Sequence, residues 1–216
     1  MRIGIVGGTG KEGIGLGLRW AQAGHDVIIG SRDPERARAK ATELAASAPG
    51  RRIEGMSNRA AAATADVVVL TVPATGLAAT LPELREACRG KIVVSTVVPL
   101  TFGGPRLFTP PPQGSAAEEA QELLGTPARV VAAFHHIAAH ELSAGDHPIE
   151  CDLLICGADA EGKQLVSELG RSMGLRPIDV GGLANAGPIE GITALLATIN
   201  RRYKLKNSGI QITGLP

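Results

Sequence analysis

The 216-residue chain predicts an α/β fold: a doubly wound, mostly parallel sheet followed by a small C-terminal helical unit. Three observations carry this expectation. Short apolar bursts alternate with longer amphipathic stretches, the pattern of βαβ units. A glycine-rich turn follows the first burst at once, in "RIGIVGGTGKEG". The alternation stops after Val180, where one long amphipathic stretch takes over.

In chain order, strands are expected at 2–6, 26–30, 52–56, 66–72, 91–96, 129–134, 152–156 and 176–180. Most are runs of Val, Ile and Leu, as strands covered on both faces require. Helices fall between them. "GIGLGLRWAQAG" follows the first strand, and "DPERARAKATELAAS" follows the second, with Asp33 as its cap and a proline in its first turn. "ATGLAATLPELREAC", "SAAEEAQELL" and "DAEGKQLVSELGRSM" fill later gaps. The stretch 103–114 is too rich in Pro and Gly for regular structure and reads as a surface loop. Ser115 and Glu118 form a capping box that restarts a helix. The last helix is expected to start near Pro188, with Ile192, Leu195, Leu196, Ile199 and Tyr203 on one face. Residues 1–181 thus form a nucleotide-binding domain and 182–216 a small helical one packed on it.

The totals exclude several function classes. With 22 Lys and Arg against 21 Asp and Glu, the net charge is +1, so neither nucleic acid nor an anionic membrane surface is the expected partner. Three Phe, one Trp and one Tyr leave little for stacking single strands. Cys88, Cys151 and Cys156 form no CxxC pair and read as reduced, buried thiols of a cytoplasmic protein. The opening "MRIGIVGG" is too short in apolar length for a signal peptide, and no stretch is long enough to span a bilayer.

The chemistry begins at Gly8, Gly10 and Gly13, a G-x-G-x-x-G set between a strand and a helix. Glycines there allow a tight turn, close approach of backbone N–H groups to a pyrophosphate, and close packing of helix on strand; the helix N-terminus adds positive potential. The end of the second strand selects the nucleotide. NAD sites place a carboxylate there to accept from the ribose 2′-OH. Here the chain reads Gly30-Ser31-Arg32, with Arg36 one helical turn on, which suits a 2′-phosphate. NADP is therefore expected over NAD.

The glycine loop, "GSR", "LTVP" (70–73), "VVP" (97–99), "FHHIAA" (134–139) and "NRRYK" (200–204) occur in that order. Together they resemble the NADPH-dependent F420 reductases over nearly the whole chain. The resemblance implies a homodimeric enzyme that moves hydride between NADP(H) and the deazaflavin coenzyme F420. It implies NADP contacts from Thr9, Gly10, Lys11, Glu12, Ser31, Arg32 and Arg36. It also implies a cleft for the nicotinamide and deazaflavin near Val72, Gly76, Val98, Pro99, His135, Ile137 and Ala139. Lys11 and Glu12 replace the uncharged residues expected of the family, and bring a carboxylate near phosphate. His136 and Ala138 likewise depart from an H-x-I-P-A version.

Hydride transfer between two cofactors asks little of side chains beyond a dry cleft and a close approach. The sequence agrees, with no Ser-His-Asp order and no Lys/Tyr pair of the short-chain dehydrogenase spacing. His135 has two readings: a hydrogen-bond donor to the deazaflavin where negative charge develops, or a partner of loop backbone groups. "HHIAAH" lacks a third ligand, and no metal is expected. Arg201, Arg202, Lys204 and Lys206 are either a grip for the anionic F420 tail or solvated cations at a helix end. Two other functions fit the same nucleotide site: an NADPH-dependent reductase of a flavin, imine or metal chelate, and a non-catalytic NADP-binding redox sensor.

Overall fold

A computed structural model describes residues 1–104, 106–144 and 147–215. The chain runs β1 (Arg2–Val6), α1 (Lys11–Gln22), β2 (Asp26–Ser31), α2 (Pro34–Ser47), β3 (Ile53–Ser57), α3 (Asn58–Thr64) and β4 (Val67–Leu70). Two short helices, α4 (Leu77–Thr80) and α5 (Arg85–Cys88), lead to β5 (Ile92–Ser95), α6 (Ala116–Leu124) and β6 (Arg129–Ala132). The remainder is α7 (Ala139–Ser143), β7 (Asp152–Gly157), α8 (Ala160–Ser172), β8 (Arg176–Asp179) and α9 (Ala186–Tyr203).

All eight expected strands form one sheet in the order β3-β2-β1-β4-β5-β6-β7-β8. Neighbours are parallel except β6 and β7, where Val131 faces Gly157 and Ala132 faces Cys156 in antiparallel register. Alternate strand residues feed two cores. Val67, Val69, Val94, Leu153 and Ile155 pack under α1, α2 and α8, while Val68, Leu70, Val93, Leu154 and Cys156 pack under the helices of the other face. Burial on both faces is why these strands read as unbroken apolar runs. Among the described residues, no helix is long and apolar enough to cross a membrane.

Some boundaries differ from expectation. β4 stops at Leu70 and β6 at Ala132, each two residues early. Pro73 has no N–H to give a ladder, and Phe134 takes a left-handed φ of 68° that breaks extended structure. The last helix begins at Ala186, so Pro188 is its third residue, where an N–H is not needed. Its expected single face divides: Leu196 is buried and Ile192 half-buried, whereas Leu195, Ile199 and Tyr203 point to solvent, 64%, 39% and 66% exposed. Within the proline-rich loop, Leu100 and Phe108 form an isolated antiparallel bridge; Pro105 lies outside the described residues.

Two polar anchors fix the later chain on the sheet. Buried Arg19 on α1 donates to the carbonyls of Leu142, Glu141 and His147 at 3.1, 2.6 and 3.0 Å, holding the β6–β7 connection. Glu190 on α9, fully buried, accepts from the Ala116 and Ala117 amides at 3.0 and 3.1 Å and so closes the open N-terminus of α6. Burial raises this carboxyl to about 7 despite those two bonds.

Candidate active site

Strands β2, β1, β4, β5 and β6 run parallel, so their carboxyl ends line one rim in that order. The chain leaves β1 for β2 on one side, yet β4 lies on the other side of β1; between them is the switch point where open α/β sheets bind ligands.

The turn after β1 is built by close approach. Gly7 has φ +75°, and a Cβ there would lie 2.7 Å from Val72 Cγ1. Its N–H donates to Asn58 Oδ1 at 3.0 Å. The left-handed turn residue is thus Gly7, not Gly8. Gly8 serves by its missing side chain, since a Cβ would meet Ile5 O at 2.8 Å, and a Cβ on Gly13 would lie 2.5 Å from Gly8 Cα. Gly10 is different: it caps α1 with no side-chain bond, is exposed, and a Cβ would meet nothing within 4 Å. The first helical bond runs from Ile14 N–H to Gly10 O, leaving the amides of Lys11, Glu12 and Gly13 without helical partners. Bare amides, open space and a positive helix end make a cradle that fits a pyrophosphate.

At the end of β2, Ser31 is buried and its hydroxyl accepts from Asp33 N–H at 3.1 Å. Asp33 caps α2, accepting from the Glu35 and Arg36 amides at 3.0 and 3.3 Å, so its charge is turned to the helix. Arg32 and Arg36 are exposed and form no ion pair among the described residues. That combination fits a 2′-phosphate beside the cradle.

The other expected residues sit along the rest of the rim. Val72 is buried behind Gly7, and Gly76 ends a 3-10 turn with open space at its Cα. Val98 and Pro99 are half-buried beyond β5. Past β6, His135 and Ile137 are buried and Ala139 opens α7. His135 has neither ring nitrogen hydrogen-bonded, while its carbonyl accepts from Thr193 Oγ1 on α9 at 3.0 Å. Burial, with neighbouring His136 adding to it, drops its pKa to about 3, so the ring is neutral. His136 instead bonds through Nε2 to Asp152 O at 2.8 Å. Preceding both, Phe134 holds its left-handed backbone under a T-shaped contact with Trp20, ring centroids 5.5 Å apart.

Glu12 has a place of its own. It lies in the first turn of α1, its Oε1 is buried without a partner, and it meets Thr96 at the end of β5. Burial pushes its carboxyl up to about 8, against the lowering effect of the Thr96 hydroxyl. Sequence reading missed Asn58, Thr96 and Thr193, whose roles come from contacts with residues far away in the chain and carry no local signal. Arg201, Arg202, Lys204 and Lys206 are exposed at the end of α9.

Comparison with known proteins gives the family. The profile of the family described as "NADP oxidoreductase coenzyme F420-dependent" matches residues 2–99. The F420-dependent NADP reductase of Methanothermobacter thermautotrophicus is 43% identical, with 100% of this chain and 96% of that one aligned. The protein of the same description from Methanocaldococcus jannaschii is 41% identical over 100% of this chain and 99% of its own. A crystal structure from Arthrobacter sp. FB24 superposes with a TM-score of 0.81 at 26% identity, covering 98% of both chains.

Proposed function

The chain belongs to the F420-dependent NADP reductase family, and on that premise we propose that it exchanges a hydride between NADP(H) and coenzyme F420 across the carboxyl rim of its sheet. The observation that carries the site reading is the bare amide cradle at Gly10, flanked by the unpaired Arg32 and Arg36. When bound, NADP(H) supplies or accepts the hydride; the chain supplies position and a dry enclosure.

Thr9, Gly10, Lys11, Glu12 and Gly13 hold the pyrophosphate through their amides, and Ser31, Arg32 and Arg36 hold the 2′-phosphate. Val72, Gly76, Val98, Pro99, Ile137 and Ala139 wall the two planar rings. His135, neutral and unpaired, donates one N–H to the deazaflavin where charge builds on reduction, without itself ionising. The cations at the end of α9 suit the anionic F420 tail, so F420 affinity falls with added salt.

A homodimer is part of this reading, supported by the exposed stripe Leu195, Ile199 and Tyr203, spaced at i, i+4 and i+8 on α9. The cytoplasm is the compartment that suits three unpaired, buried thiols. The test of the activity is direct. Protein, NADPH and F420 are mixed and the deazaflavin absorbance is followed, with NADH and FMN as controls. Loss of the F420 band with NADPH alone is expected; NADPH oxidation with FMN but not F420 would replace the acceptor.

A further inference from the structure

The first turn of α1 holds two features that conflict in charge. Its bare amides and open Gly10 form the cradle for a pyrophosphate. Glu12, in the same turn, carries a carboxyl whose Oε1 is buried and unpartnered, with the Thr96 hydroxyl beside it. Two negative charges in a poorly solvated space repel strongly. Among the described residues no charged side chain shifts Glu12, and Lys11 beside it is exposed. Thr96, just after β5, is the polar side chain that meets it.

We propose that Glu12 enters the nucleotide complex as a neutral carboxylic acid, so that binding NADP(H) at alkaline pH takes up a proton at this side chain. The inference rests on the nucleotide-site reading above and deepens it. The free protein already leans that way, since burial holds the carboxyl protonated up to about pH 8. A pyrophosphate alongside extends the protonated range further. Below that pH the acid is neutral before and after binding, and no proton moves. Above it, binding must first neutralise the side chain, and affinity weakens by up to about tenfold per pH unit.

The test is calorimetric titration of NADP+ between pH 7 and 9.5, at each pH in two buffers of different ionisation heat, on wild type and Glu12→Gln. The wild type is expected to take up a large fraction of one proton near pH 8.5 and to lose affinity above it. E12Q, whatever its affinity at pH 7, is expected to take up none and to show a flat profile. Equal proton uptake or equal slopes in the two proteins would overturn the proposal while leaving the nucleotide site standing. No heat with NADP+ at any pH in wild type would overturn the site reading itself. Should E12Q fail to fold, the Glu12 carboxyl carbon signal is followed by NMR in the wild type. Its titration midpoint must rise when NADP+ is added, and an unmoved midpoint overturns the proposal.

Discussion

Arg32 and Arg36 are the residues proposed to divide NADP from NAD. Among the described residues neither guanidinium has a partner, so removing one is expected to cost the proposed charge-assisted bond to the phosphate and little else. Arg32→Ala or Arg36→Ala is expected to weaken NADPH binding about 10- to 100-fold, from about 1.5–3 kcal/mol per bond, while binding of NADH stays as it was. Fluorescence titration with both nucleotides checks this. His135→Ala is expected to lower kcat more than NADPH affinity, because the ring is proposed to donate to the deazaflavin and not to the phosphates. The same variant reports on stability. The folded pKa lies below the ordinary 6.5, so the unfolded chain binds the proton first, and stability is lost as pH falls from about 6.5 toward 3. Thermal unfolding of His135→Ala should show a shallower decline over that range than wild type.

Among the elements, α1 and the turn before it separate binding from folding. Gly10→Ala adds a methyl to open space at φ −80°, so the fold keeps its stability while the methyl occupies the phosphate cradle and NADP+ binding is lost. Gly13→Ala drives a methyl into Gly8 and costs about 1–3 kcal/mol of stability. Paired denaturation and binding curves distinguish the two glycines. α9 is held at Glu190, and Glu190→Ala bares two buried amides of α6 at about 1–3 kcal/mol each, read as a lower Tm and faster amide exchange at Ala116 and Ala117. The strands and the cradle were legible in the sequence because both are local: Val/Ile runs and a glycine spacing. The reversal of β7 was not, since "DLLIC" is apolar on both faces whichever way it runs. Nor was α3, a seven-residue, alanine-rich helix without the period of a longer one. The outward half of α9 was misread for a related reason: helical spacing shows that apolar residues share a face, not what covers it.

For the whole molecule, the uncovered part of α9 has a consequence for assembly. Leu195, Ile199 and Tyr203 leave an apolar stripe open along α9, the surface on which the proposed dimer rests. Leu195→Asp with Tyr203→Asp is expected to convert a dimer into a folded monomer, read by light scattering alongside an unchanged circular dichroism spectrum. A wild type of monomeric mass would remove the dimer from the reading. The antiparallel step between β6 and β7 shapes the molecule in another way. Since β7 runs antiparallel to β6, the start of β7 lies at the rim, where Asp152 O meets His136. The stretch that carries His135, Ile137 and Ala139 is pinned to α1 by Arg19 and is separate in sequence from the turn proposed to hold the nucleotide. A change confined to it would alter only the share of the proposed acceptor wall that Ile137 and Ala139 supply, and would leave the glycine turn after β1 as it is.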